Sequence, residues 1–366
     1  MKRVLCITAN MNTGGAETFL MKIYRRLDKS KYQMDFCVSA KNNYYEKEIH
    51  LLGGEVYYIP AKSRHPLKSF FCISSLVRNQ NYEYVMRVNE HSLSVIDLLA
   101  AKLGGAKITI MRSSNSASGS KLSTVLHKIF KFLSKNVPDV MIAPSLLAAE
   151  YTFGKKNIKN NRVKVLNNGL DIEKFSFSQS SREKIRSEFK LESKFVVGHI
   201  GRFNKQKNHK YLLKIFENIL TMKENAILLM VGDGALLHEI RTKAIEMGIY
   251  DKCIFAGVRT DVHDILSAMD VFVFPSLYEG MPNTVIEAQT AGLPCMISNT
   301  ITMEANVSGL VQFESINMSA NEWAKKIVNM NNPDRQSAAR IMNSKGYAID
   351  DVINDFVYYV FADRKK

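Results

Sequence analysis

Short runs made almost wholly of apolar residues recur along this chain, each followed by a turn and then by a stretch whose apolar residues fall at helical spacing. Strands covered on both faces look like this, and repetition of strand, turn and helix builds a parallel sheet wrapped in helices. In the first half the runs are Val4 to Ala9, Met34 to Ser39, Val56 to Ile59, Tyr84 to Val88, Ile108 to Met111 and Val140 to Ala143, with a helical pattern over Ala16 to Leu27. In the second half they are Phe195 to Ile200, Ile227 to Val231, Ile254 to Ala256, Val271 to Pro275 and Pro294 to Ser298. Helical patterns lie between these at Asn208 to Thr221, Leu236 to Gly248, Val262 to Met269 and Asn283 to Ala291. At 366 residues the chain is too long for one ordinary core, so the expected fold is α/β with two doubly wound, Rossmann-like domains facing across a cleft. Residues 1–172 make the first domain, 182–345 the second, the polar stretch Asp171 to Ser181 links them, and 346–366 add a helix that returns to the first. Open sheets of this kind bind ligands beyond the carboxyl ends of their strands.

The formal net charge of +15 sits in one half: residues 1–170 hold 26 Lys and Arg against 11 Asp and Glu, and the remainder is balanced. Such asymmetry favours an anionic partner for the first half, whether a lipid surface, a phosphorylated acceptor or nucleic acid. Five cysteines with no close pair suit a reducing compartment. The apolar run Val4 to Ile7 is too short for a secretion signal, and no stretch approaches the roughly 20 apolar residues of a spanning helix. The expected setting is cytoplasmic, peripheral on the inner face of the cell membrane.

Four segments carry chemistry. Glu279 to Pro294 (EGMPNTVIEAQTAGLP) follows a strand, so Glu279 lies in a loop at a carboxyl end, with Pro282 suited to the first turn of the next helix. The N–H groups at that helix start can hold a diphosphate, and Glu287 can accept from ribose hydroxyls. On spacing alone the same residues also fit a capped helix with two solvated glutamates. Gly201 to His209 (GRFNKQKNH) places Arg202 and Lys207 at a strand end, where two cations can neutralise a leaving diphosphate or simply solubilise a loop. Gly232 and Gly234, in VGDG, form a tight turn that could border a nucleotide. Gly14-Gly15-Ala16-Glu17 lets backbone approach a phosphate or sugar at a helix start, but lacks the third glycine of a dinucleotide fingerprint.

Taken in order, NTGGAE at Asn12, NNGLD at Asn167, GHIGRFNKQKNH at Gly198, VGDG at Val231, FAGVRTDV at Phe255 and SLYEGMPNTVIEAQTAGLP at Ser276 resemble the large retaining glycosyltransferase family of GT-B fold, especially its exopolysaccharide and capsule branch. The resemblance implies transfer of a hexose or N-acetylhexosamine from a nucleotide diphosphate sugar, UDP-sugar foremost, to a lipid-linked or growing polysaccharide, without cofactor or metal. It implies that Glu279 faces the donor sugar, Glu287 the ribose, and that Arg202 and Lys207 grip the diphosphate. Gly201, Gly280, Met281, Pro282, Asn283 and Thr284 then belong to loops holding sugar and phosphate, and Gly15 lies near the reacting centre. No Asp-x-Asp triplet occurs, the motif by which the other major glycosyltransferase fold holds a divalent ion. Where many relatives carry a His after the strand at Ile108 to Met111, this chain reads Arg112-Ser113; His91 is the other candidate imidazole in the first half.

Lys121 to Lys135 reads as a basic amphipathic helix, with Lys121, Lys128, Lys131 and Lys135 available to anionic lipid, or equally as a core helix with solvated lysines. Two other classes stay open. One is a sugar-nucleotide epimerase on the same fold; the other is a nucleic-acid-binding protein, against which stands the lack of any recognisable RNA- or DNA-binding motif in the basic half.

Overall fold

The structure, a computed structural model, describes residues 1–12, 14–89, 92–113, 130–331 and 334–362. The chain forms two compact units: Met1–Gly169 with Ile349–Lys366, and Leu170–Ala348.

In the first unit seven parallel strands run in the order β3-β2-β1-β4-β5-β6-β7, with β1 Lys2–Ile7, β2 Tyr32–Val38, β3 Val56–Tyr58, β4 Tyr84–Asn89, β5 Ile108–Ser113, β6 Val140–Ala143 and β7 Val163–Val165. Along β1, Val4 and Cys6 enter one core while Leu5 and Ile7 enter the other, which is why the strand reads as an unbroken apolar run. Helix Gly15–Arg26 and the C-terminal helix Ile349–Phe361 cover the first face, and helices Pro66–Asn79, Val95–Leu103 and Leu146–Lys159 cover the second. The C-terminal helix is integral to its core: Phe356 packs edge-on against Phe19, and Phe361 meets Tyr32 with ring centroids 4.7 Å apart.

The second unit is a six-stranded parallel sheet in the order β10-β9-β8-β11-β12-β13: β8 Phe195–Ile200, β9 Ala226–Val231, β10 Cys253–Phe255, β11 Val271–Phe274, β12 Cys295–Ser298 and β13 Val311–Glu314. Helices His209–Leu220 and Ala320–Val328 bury one face, and Gln179–Glu188, Val262–Ala268 and Asn283–Thr290 the other.

The edge strands β7 and β13 have no counterpart in the sequence reading, because VKV and VQFE are short and carry polar residues on their open sides. The stretch 171–181 is likewise not an open linker. It holds the short helix Ile172–Phe175 and the start of Gln179–Glu188, and the chain passes between units at Gly169–Leu170 instead. Gly169 has φ +63°, a conformation that glycine adopts without strain, and a β-carbon there would meet Ile349 Cδ1 at 2.6 Å and push that side chain aside where the outgoing chain passes the incoming one. One residue on, Leu170 bridges Ala348 in parallel and its N–H donates to the Tyr347 carbonyl at 2.8 Å.

Candidate active site

In the second unit β8 is followed by β9 on one side, and the chain later returns to place β11 on the other. The loops leaving β8 and β11 therefore flank the switch point of the sheet, the place where doubly wound sheets hold ligands. Three bonds tie these loops together: Gln206 Nε2 donates to the Tyr278 carbonyl at 2.8 Å, Leu277 N–H to the Gln206 carbonyl at 2.8 Å, and Asn208 Nδ2 to the Pro275 carbonyl at 3.2 Å. Asn204 caps a 3-10 turn at Lys205–Lys207, and Asn208 follows with φ +55°, a left-handed position asparagine tolerates. This sharp turn aims Lys207 back over the sheet. Its Nζ lies 2.7 Å from Glu279 Oε1 and 4.4 Å above the centre of the Phe274 ring.

Both side chains are largely buried, Lys207 at 16% and Glu279 at 12% exposure. Two of the residues singled out from sequence thus meet in one desolvated ion pair. Arg202 differs: it is exposed. The loop after β8 thus carries one exposed guanidinium and one buried ammonium.

The VGDG turn lies directly behind. A β-carbon on Gly234 (φ +154°) would lie 2.5 Å from the Phe203 carbonyl oxygen, and one on Gly232 would collide with the Gly201 carbonyl. Phe203 N–H in turn donates to the Asp233 carbonyl at 2.9 Å. Gly232 and Gly234 are therefore required because the turn buttresses the backbone Gly201 to Phe203. Beneath Lys207 two buried imidazoles meet edge to face, His199 and His209, with centroids 4.7 Å apart; His209 also stacks on Phe203 at 4.1 Å. His199 Nδ1 lies 2.9 Å from the Val273 carbonyl oxygen, while its Nε2 and both nitrogens of His209 have no partner. Burial pushes the His199 pKa down to about 4, helped by the Lys207 charge. Burial, then His199 and Lys207, push that of His209 down to about 2. Both are neutral at pH 7, a polarisable floor under the lysine.

Pro282 is the N-cap of helix Asn283–Thr290, not part of its first turn: its φ of −78° and ψ of 106° are extended, so Asn283 becomes the first helical residue. Gly280 is buried, Met281 packs into a cluster with Leu170, Ile286, Met342 and Tyr347, and Thr284 and Glu287 are half-buried on the helix.

In the first unit the corresponding switch point lies between β1 and β4. Gly14 is the extended N-cap of helix Gly15–Arg26, and Gly15 its first residue. Beside them a cavity of about 300 Å³ is lined by Thr8, Ala16, Glu17, Lys62, Arg87 and Asp97, among others. Asp97, 3% exposed, accepts from Arg87 Nε at 2.8 Å and pairs with Lys62 Nζ at 2.6 Å. Sequence reading missed this cluster; its one signal was a lone carboxylate in the apolar helix VIDLLAAKL.

His91, Lys121 and Lys128 lie outside the described residues. Lys131 and Lys135 lay their alkyl chains along Gly154, and Lys131 Nζ stands 5.9 Å from the centre of the Tyr151 ring. Ser113 is taken up by the core, its Oγ 2.7 Å from Thr152 Oγ1. Arg112 faces helix Gly15–Arg26, with its guanidinium 3.8 Å over the Phe19 ring and Nη2 donating to Asn168 Oδ1 at 2.6 Å. Burial pushes its pKa down to about 9, and its Nε has no partner.

Two parallel-sheet units of this topology are the GT-B fold. HepE of Anabaena, solved with UDP-glucose, superimposes with a TM-score of 0.80 at 17% identity over 98% of both chains. WaaG, a glycosyltransferase involved in lipopolysaccharide biosynthesis, does so with 0.74 at 13% identity over 99% of this chain and 100% of its own. Residues 180–332 match the model for glycosyl transferases group 1, and residues 13–174 that for glycosyltransferase family 4. EpsF of Bacillus subtilis, a glycosyltransferase by name, is 32% identical over 359 residues, 94% of this chain and 93% of its own. The chain belongs to the GT-B glycosyltransferases. A UDP-Gal:α-D-GlcNAc-diphosphoundecaprenol α-1,3-galactosyltransferase of Escherichia coli is 27% identical over 257 residues, 66% of each chain.

Proposed function

We propose that this glycosyltransferase moves a hexose or N-acetylhexosamine from a UDP-sugar to a lipid-linked or growing polysaccharide acceptor, with retention at the anomeric carbon, in exopolysaccharide or capsule synthesis. The observation that carries the reading is the Lys207–Glu279 pair at 2.7 Å, set at the switch point by two loops laced together. Lys207 and Arg202 hold the diphosphate and offset the charge that grows on it as the bond to the sugar breaks. Glu279 faces the sugar, where it steadies positive charge developing at the anomeric carbon, and Glu287 accepts from the ribose. Gly201 and the backbone from Gly280 to Thr284 line the donor. The acceptor hydroxyl bonds to the anomeric carbon on the face that UDP leaves. Its proton passes to the departing phosphate oxygen, so that charge and protons balance with UDP and the glycoside as products, and no metal or cofactor takes part. The E. coli relative named for a UDP-sugar and a lipid diphosphate supports the donor and acceptor classes, and the name EpsF is in keeping with the exopolysaccharide setting.

The test is a panel of nucleotide sugars read first by thermal shift and then by transfer to a lipid-diphosphate sugar, with the product's anomeric configuration determined by NMR. Stabilisation by UDP-sugars and an axial product from an axial donor are expected. An inverted product, or donor interconversion without acceptor, refutes the reading, the latter in favour of an epimerase.

A further inference from the structure

Helix Pro66–Asn79 in the first unit sends Ile73 and Val77 into the core, yet its first two turns also carry apolar side chains outward. Ser69 and Ser74 are buried at 1% and 5% exposure, while Leu67 and Phe71, one turn apart, stand out at 74% and 61%. Side chains one turn apart share a face, and on this helix the face includes Lys68, with Arg64 and His65 exposed just ahead of it. From Val56 to Tyr82 the sequence holds no Asp or Glu, but it holds Lys62, Arg64, Lys68 and Arg78. A lone exposed Leu or Phe is ordinary on a protein surface. Two exposed apolar side chains side by side, with Arg64 and Lys68 exposed in the same stretch, are not explained by the core.

We infer that this face, led by Leu67 and Phe71 with Arg64 and Lys68, is where the first unit meets an anionic lipid surface. The chemistry fits at both depths. The apolar pair enters the acyl boundary, and the cations lie at the phosphate level, the arrangement of interfacial helices. The position gives the contact a use. The same segment supplies Pro60, Ala61, Lys62, Ser63 and Ser69 to the wall of the 300 Å³ cavity at the β1–β4 switch point, so docking here brings that cavity to headgroup level. That use rests on the proposed lipid-linked acceptor; the binding itself does not.

The test is co-sedimentation of the whole chain with vesicles of equimolar phosphatidylglycerol and phosphatidylcholine, with no donor present. Wild type is expected to bind these and not pure phosphatidylcholine, and to release as salt shortens the Debye length from about 10 Å at 0.1 M to about 3 Å at 1 M. Leu67→Ser with Phe71→Ser should weaken binding about tenfold or more, and Arg64→Gln with Lys68→Gln by about fivefold per cation. All four positions are exposed, so thermal melts should be unchanged, and transfer to a short water-soluble acceptor should match wild type. Vesicle binding that is absent in wild type, that survives all four replacements, or that falls instead on Lys131→Gln with Lys135→Gln overturns the inference. A dimer in lipid-free solution that dissociates in the Leu67→Ser, Phe71→Ser variant also overturns it, because a second copy would then cover the face. Loss of soluble transfer in wild type would refute the enzymatic reading and leave the surface standing.

Discussion

Removing Lys207 and Glu279 one at a time and together measures whether the buried pair works as a unit. The variants are Lys207→Met, which keeps the stem over the Phe274 ring, and Glu279→Gln, which keeps the shape and loses the charge. With Nζ 2.7 Å from Oε1 and both side chains largely out of water, the attraction is of the order of 6 kcal/mol at an effective dielectric constant of about 20. Desolvation offsets part of that, leaving a coupling of about 1 to 3 kcal/mol, the range found for residues in direct contact. Glu279→Gln should reduce turnover about a hundredfold or more, the scale for one electrostatic group at a reacting centre, with UDP affinity nearly unchanged. Lys207→Met should weaken UDP as well as turnover. The double variant should fall short of the two single losses combined by that coupling energy, because once one partner is gone the other no longer has its charge to meet. Turnover would be followed by UDP release at saturating donor and acceptor, and UDP binding by calorimetry. Losses that add to within about 0.5 kcal/mol, or Glu279→Gln turning over like wild type, would refute the argument that the pair is the working element of the site.

Arg202→Ala should weaken UDP much more than uridine, and equal weakening of both, by calorimetry, would show that this exposed cation does not hold phosphate. Gly234→Ala places a methyl 2.5 Å from the Phe203 carbonyl, so the VGDG turn or the Gly201 to Phe203 backbone must shift; expected are a stability loss of about 1 to 3 kcal/mol in thermal melts and a weaker UDP affinity. His199 and His209 are neutral in the fold with pKa values below that of free histidine, so the unfolded chain binds more protons once pH drops below about 6.5. Stability of the second unit should therefore be full above that pH and decline as it falls towards 4. His209→Phe, which keeps the stack on Phe203 and removes two unpartnered nitrogens, should flatten that decline in melts taken across pH 4 to 7.

The strands of both sheets were legible because strands buried on both faces leave uninterrupted apolar runs, as along Val4 to Ile7. The edge strands were not, since Val163–Val165 and Val311–Glu314 are half open and lose that signature. At the site, the sequence placed Glu279 and Lys207 each after a strand, yet their pairing across 72 positions depends on β8 and β11 being neighbours, which no local pattern encodes. It also treated Arg202 and Lys207 as equals. What separates them is the left-handed Asn208 behind the 3-10 turn, which swings Lys207 inward and leaves Arg202 in solvent. The cavity cluster escaped because Lys62, Arg87 and Asp97 sit on three different elements, each unremarkable alone.

The first unit closes its core with residues from the far end of the chain: Ile349, Val352, Ile353, Phe356, Val360 and Phe361 all lie in the cluster that also holds Val4, Phe19 and Phe36. Domains usually mature in the order in which they are synthesised, N-terminal first. Here the order is inverted. The second unit is one uninterrupted segment, Leu170–Ala348, and has everything it needs once that segment has left the ribosome, whereas the first unit must wait until helix Ile349–Phe361 has been made as well. Until then helix Gly15–Arg26 lacks the cover that Phe356 of the C-terminal helix gives Phe19. A chain cut short during synthesis therefore lacks a finished first unit however well its second has folded, and carries that missing cover as its mark to chaperones and proteases.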